Sequence, residues 1–174
     1  MAYVTPSTVT AGTSPITAAA QNILVNDIIA HQASLVRLAY QTRATDYTIS
    51  ATSFGAAAEL FTDVSWTADG TSTYVVEVLP GTNSSAGSVN YNVYISLGTG
   101  SGTELVTIAQ MSSNMRSNLG LFKYFYTPSA GTATLNVRAF KESGGSNGTI
   151  EIAAGSGRTV AGLAYIAVYG PQTT

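Results

Sequence analysis

His31 is the only histidine in the chain, so any Ser-His-Asp triad would have to use it. It stands in the middle of an apolar stripe at helical spacing, whereas a hydrolase base usually stands at a loop or a strand end. A packed or interface histidine fits that position better. There is no cysteine, which removes disulfides, thiolate catalysis and zinc–thiolate sites together. Only oxygen ligands remain for a metal. DVSWTADG (63–70) supplies two aspartates but lacks the EF-hand spacing and its closing glutamate. The nine acids, Asp27, Asp46, Glu59, Asp63, Asp69, Glu77, Glu104, Glu142 and Glu151, form no recognisable glycosidase motif. GTGSG (98–102) and GSGRT (155–159) neither match GxxxxGK[ST] nor open a helix, so both read as hairpin loops. The chain therefore reads as non-enzymatic, with no catalytic residue, no cofactor and no metal. Ten tyrosines and Trp66 are the residues that point elsewhere, since amphipathic rings suit sugar-binding and protein interfaces.

The elements that must position these residues fall into three stretches. Residues 1–16 carry Thr, Ser, Gly and Pro with little else, and read as an extended N-terminal arm. Residues 17–40 (TAAAQNILVNDIIAHQASLVRLAY) have helical period, with Thr17 or Ser14 as N-cap. Read in steps of three and four, its seam is Thr17, Gln21, Leu24, Ile28, His31, Leu35 and Leu38. No second helix is legible to cover that seam. Leu24, Ile28, His31, Leu35 and Leu38 are therefore the expected oligomer interface, and a homotrimer is the expected state.

Residues 41–174 change to period two. AELFTDVSWTA (58–68) and TSTYVVEVLP (71–80) flank Asp69-Gly70, a two-residue hairpin signal. Further strands are read at 88–97, 104–111, 118–127, 133–141, 148–154 and 163–170, with a short one at 47–50. Turn-forming segments such as GTNSSAG (81–87) and SGGSN (143–147) separate them. Eight or nine short strands with no intervening helix exclude a parallel α/β sheet. The expected fold is an antiparallel β-sandwich of jelly-roll type behind one N-terminal helix. Phe122, Tyr124 and Tyr126 share one face of a strand whose other face carries Leu119, Leu121 and Phe125, so that strand is a second candidate interface.

Composition agrees with an uncharged, well-hydrated surface. Of 174 residues, 24 are Thr, 19 Ser, 24 Ala and 17 Gly, while only 9% are charged and the formal net charge is −2. That balance excludes a nucleic-acid binder by bulk electrostatics and a basic membrane-surface protein. The opening MAYVTPSTVTAGTSP has no basic n-region and no apolar h-region, so no secretion signal is expected.

The segment VTAGTSPITAAAQNILVNDIIAHQASL (9–35) is similar to the N-terminal segment of tailed-bacteriophage minor tail and fibre-like proteins. The matching positions are Gly12, Ile16, Thr17, Ala18, Ala19, Asn22, Asp27 and Leu35. AYIAVYGPQ (164–172) resembles that family's usual end, a strand followed by Gly-Pro. The resemblance implies a trimeric virion component with a jelly-roll head similar to tumour-necrosis-factor-like folds. Tail tip, fibre and head decoration are the alternatives within it, and a lectin-like carbohydrate-binding module is the alternative outside it. Expected partners are two further copies, other virion proteins through the arm, and a host-surface glycan.

Overall fold

The structure is a computed structural model that describes residues 36–81, 83–85, 92–111, 116–117, 119–153 and 163–172. The described residues hold twelve strands and no helix: β1 (Arg37–Thr42), β2 (Tyr47–Ile49), β3 (Glu59–Ala68), β4 (Thr73–Leu79), β5 (Asn83–Ser85), β6 (Val93–Thr99), β7 (Glu104–Met111), β8 (Arg116–Ser117), β9 (Phe122–Tyr126), β10 (Gly131–Lys141), β11 (Gly148–Glu151) and β12 (Tyr165–Gln172). Every pairing is antiparallel. One sheet has the order β1-β12-β4-β9, another β3-β10-β6-β7, and a third, of short strands, β2-β11-β5-β8.

The third sheet repeats the order of the first. β2 follows β1 in sequence, β5 follows β4, β9 follows β8 and β12 follows β11, and each such pair takes the same place in the two orders. With each such pair taken as one passage, the described strands make eight passages, in the orders 1-8-3-6 and 2-7-4-5. The result is an antiparallel β-sandwich. One apolar core joins all three sheets, with Ile49, Phe61, Val76, Leu97, Leu135, Ile150 and Val168 all essentially without exposure. Alternation explains the partition: Ala133, Leu135, Val137 and Ala139 of β10 face the core, while Thr134, Asn136 and Arg138 face away.

Two expectations need correction. The helix expected over 17–40 does not reach Tyr40, because Arg37–Thr42 is a strand on the edge of the first sheet. Gly170 N donates to Val36 O at 2.7 Å, carrying that ladder one residue further. Val36, Leu38 and Tyr40 alternate, and they fit a strand as well as they fit a helical stripe; pairing with β12 settles the choice. The N-terminal part of the expected helix and the arm at 1–16 lie outside the described residues.

Asp69-Gly70 is not a hairpin. β3 pairs with β10, and β4 lies between β12 and β9 in the other sheet, so the turn carries the chain from one layer to the next. The Asp69 carboxylate builds this corner, accepting from Thr71 N (2.9 Å), Ser72 N (2.7 Å) and Ser72 Oγ (2.5 Å). Gly70 has φ +85°, and a Cβ there would lie 2.8 Å from Ala130 N. β4 reads TYVVEVL with Tyr74, Val75, Val76 and Val78 all buried, and a strand covered on both faces suits a central position better than a hairpin edge.

The outer face of the β3-β10-β6-β7 sheet is partly covered by residues 51–58. Phe54 lies directly over Gly98, where a Cβ would fall 2.1 Å from Phe54 Cζ. The Phe54 and Gly55 carbonyls accept from Arg138 Nη1, and the Arg138 guanidinium stands 5.2 Å from the Phe54 ring centroid.

Candidate functional site

The sites nominated from sequence are only partly within the described residues. Leu24, Ile28, His31 and Leu35 lie outside them. Leu38 is within them, on edge strand β1 rather than on a helix, and it is partly exposed. Phe122, Tyr124 and Tyr126 do share a face, but it is the core-side face. They stand opposite Val78, Val76 and Tyr74, all buried, and their rings run in a stacked row at 6.5 and 6.3 Å. Within the chain, the outward side chains of this strand region are Phe125, 64% exposed, and Lys123, with Leu121 just before the strand 50% exposed.

The first sheet thus carries apolar side chains at both of its edges. On the β1 edge Val36 is 50% exposed, with exposed Leu38 and Tyr40 further along the strand, and Leu163 is exposed before β12, beyond the opposite end of β1. On the β9 edge stand Leu121 and Phe125. Between them the sheet's outer surface holds Tyr165 against Tyr40 at 5.9 Å, Arg37 over the Tyr40 ring at 4.1 Å, and an ion pair of Lys123 Nζ with Glu77 Oε1 at 2.9 Å. The Glu77 partner raises the Lys123 pKa above the usual lysine range. Burial chiefly, with Glu77 adding to it, raises the Tyr165 and Tyr169 hydroxyls.

A cleft of about 460 Å³ opens at the other end of the β10 passage. Its walls include Asp63, Thr99, Ser101, Tyr126, Ser129 and Thr134. Three features shape it. Residues Gly131–Thr134 of β10 pair with β3, whereas β6 joins β10 only from Leu135 onward. The 99–102 loop closes over that open edge: Gly100 N donates to Thr134 O at 3.0 Å, and a Cβ on Gly100 would meet Thr134 Cγ2 at 2.6 Å. Tyr126, the last ring of the aromatic row, lines the cleft and is backed edge-on by Trp66 at 6.3 Å. Burial, with Tyr124 a lesser cause, raises the Tyr126 hydroxyl pKa.

The Asp63 carboxylate is held in place by a buried relay. Asn136, with no exposure, donates from Nδ2 to Asp63 Oδ1 at 3.0 Å and to Glu59 Oε1 at 3.3 Å. Arg138 Nη2 holds the same Glu59 oxygen at 3.2 Å. Asn136 Oδ1 is buried without a partner among the described residues, a cost of about 1–3 kcal/mol. Sequence reasoning named the 98–102 loop but missed Asp63, Tyr126 and Thr134 as its neighbours. Those contacts depend on β3–β10 pairing between segments about 70 residues apart, and no local signal announces them. Among the described residues no three His, Cys, Asp or Glu side chains gather as a metal site.

No family model matches the chain. No curated protein matches it. Among solved structures it is similar to the C-terminal CBM6 of LamC, a marine laminarinase from Zobellia galactanivorans, at 12% identity and a TM-score of 0.31, over 79% of this chain and 94% of that one. A likeness of that degree bears on neither ligand nor role.

Proposed function

We propose that the chain is a non-enzymatic structural and attachment subunit of a tailed-bacteriophage particle, assembled as a homotrimer. In this reading the sandwich is a jelly roll, similar to tumour-necrosis-factor-like heads, and residues 1–35 hold the arm and the trimerising helix. The passage orders 1-8-3-6 and 2-7-4-5 support the jelly-roll reading, an architecture shared by viral capsid and lectin domains. The resemblance of segments 9–35 and 164–172 to minor tail and fibre-like proteins supports the setting.

One observation carries the assembly: apolar side chains stand exposed at two opposite edges of one sheet. A two-fold contact needs a single self-complementary patch, whereas a closed ring needs two different patches that meet head to tail. Val36, Leu38 and Tyr40 at one edge and Leu121 and Phe125 at the other meet the second requirement. The occupant of each edge is the opposite edge of the next copy. Particle proteomics and antibody labelling test the setting: the chain should be found in purified virions, with label on the intact particle. A chain confined to the lysate soluble fraction would refute it.

A further inference from the structure

We infer that the cleft between the 99–102 loop and Gly131–Thr134 of β10 binds a neutral saccharide of one or two hexose units. The volume, about 460 Å³, lies within the range of small-molecule sites. Its lining has one carboxylate, a row of hydroxyls and one aromatic ring, with no lysine or arginine. That set disfavours phosphates, sulfates and uronic acids, because Asp63 would repel an anion and no cation offsets it. It suits a ligand dense in hydroxyl groups with one apolar ring face.

Each part has a task in that chemistry. Asp63 Oδ1 is committed to Asn136, which fixes the plane of the carboxylate and leaves Oδ2 as an acceptor for a sugar hydroxyl. Oδ2 faces Gly100, where a Cβ would approach it to 3.3 Å. Beyond the end of β6, Thr134 O of β10 accepts from Gly100 N, which ties the 99–102 loop to the strand and fixes this wall of the cleft. Thr99 Oγ1 and Ser101 Oγ already share a hydrogen bond of 2.8 Å, so the loop hydroxyls are oriented before a ligand arrives. Tyr126, braced by Tyr124 and Trp66, supplies the ring face or edge against which a hexose packs. The buried, unpartnered Asn136 Oδ1 is a cost kept at the foot of this arrangement, consistent with an amide held there to orient Asp63. The assignment rests on the attachment reading for its biological setting alone; the cleft belongs to one chain and requires no assembly.

The test is amide-shift titration of the full isotopically labelled chain with maltotriose, cellotriose and trigalacturonic acid. The neutral trisaccharides, or one of them, should move the amides of Gly100, Ser101, Ser129 and Thr134 with millimolar affinity that moderate salt leaves unchanged. Trigalacturonic acid should not bind. Asp63→Ala should weaken binding about tenfold. Ser101→Trp adds a ring at an exposed loop position, fills the cleft without touching the core, and should abolish binding while leaving the melting temperature within a degree or so of the parent's. Absence of shifts with every neutral sugar at tens of millimolar overturns the proposal. Shifts that Ser101→Trp leaves intact, or preference for the uronic acid, overturn it too. Cleft shifts produced by a peptide of residues 1–16 and by no sugar would make this an edge-pairing site and overturn it as well. None of these failures bears on particle incorporation, which is measured separately.

Discussion

Gly98 and Phe54 should behave as one energetic unit. Phe54 is 6% exposed and rests on the backbone of Gly98, where a Cβ would fall 2.1 Å from Cζ and 2.6 Å from Cε1 of the ring, and 2.7 Å from the Thr103 carbonyl. Gly98→Ala cannot be absorbed by a small rotation at such distances, so the ring must leave. Expelling a buried phenylalanine costs about 2–3 kcal/mol in apolar burial. Phe54→Ala, which removes the ring outright, costs about 3–5 kcal/mol. Because both variants lose the same contact, the double variant should be destabilised by little more than Phe54→Ala, with about 1 kcal/mol left over for the Thr103 carbonyl. The cycle should therefore show a coupling of about 2–3 kcal/mol, the shared cost of losing the ring. Urea unfolding of the four proteins at constant m-value measures it. Additive losses would mean that Phe54 does not rest on Gly98 and would remove the cover assigned to residues 51–58. The displaced loop also carries the Phe54 and Gly55 carbonyls that hold Arg138, so Gly98→Ala should loosen the Arg138–Glu59–Asn136–Asp63 relay and broaden the amide signals of the cleft.

The other predictions concern the corner, the edges and the surface. Three hydrogen bonds, those of Ser72 foremost, lower the Asp69 pKa from 3.8 to about 2. A depressed folded-state value stabilises the fold above the unfolded pKa and is lost as pH falls, so the melting temperature of the parent should drop between pH 4 and pH 2 more than that of Asp69→Asn; equal drops would contradict the corner's role. Phe125→Asp and Leu38→Asp should each leave the chain folded and dissociate the assembly. Mixed together, the two variants should form pairs, since each keeps the edge the other lacks, but no closed ring. Sedimentation of the mixture reads this out, and association of either variant alone as tight as the parent's would refute head-to-tail contact through these edges. Lys123→Met should leave the melting temperature nearly unchanged, because Lys123 is 56% exposed in its pair with Glu77; a drop of many degrees would show the pair buried by assembly.

Strand positions were legible wherever alternation ran unbroken. Most of β3, β4, β9, β10 and β12 follow from period two, because one face of each meets the core, whereas β7, with Leu105, Val106, Ile108 and Ala109 and a bulged pairing to β6, does not alternate strictly. β1 was hidden because Leu35, Val36 and Leu38 satisfy a helical stripe and Val36, Leu38 and Tyr40 satisfy a strand; only its long-range pairing with β12 decides. The turn at Asp69-Gly70 was legible as a turn and misread as a hairpin. Local chemistry sets φ at Gly70 and the hydrogen bonds of Asp69, but which sheet receives the next strand is set by partners more than 50 residues away, Tyr126 for Tyr74 among them. The aromatic row at Phe122, Tyr124 and Tyr126 was found from its spacing, while its direction depended on which neighbours were buried. The cleft was the least legible part, since Asp63 of β3, Ser101 of the β6–β7 loop, Tyr126 of β9 and Thr134 of β10 meet only after all four segments are placed.

Light scattering of the intact chain across a wide concentration range tests the central claim most directly. The proposed homotrimer, its copies joined through the two apolar edges of the β1-β12-β4-β9 sheet, predicts a mass three times 17.9 kDa, unchanged on dilution until the contact dissociates. A folded species of 17.9 kDa at every concentration would contradict the account, and so would a stable dimer, whose single two-fold contact leaves the second edge unexplained.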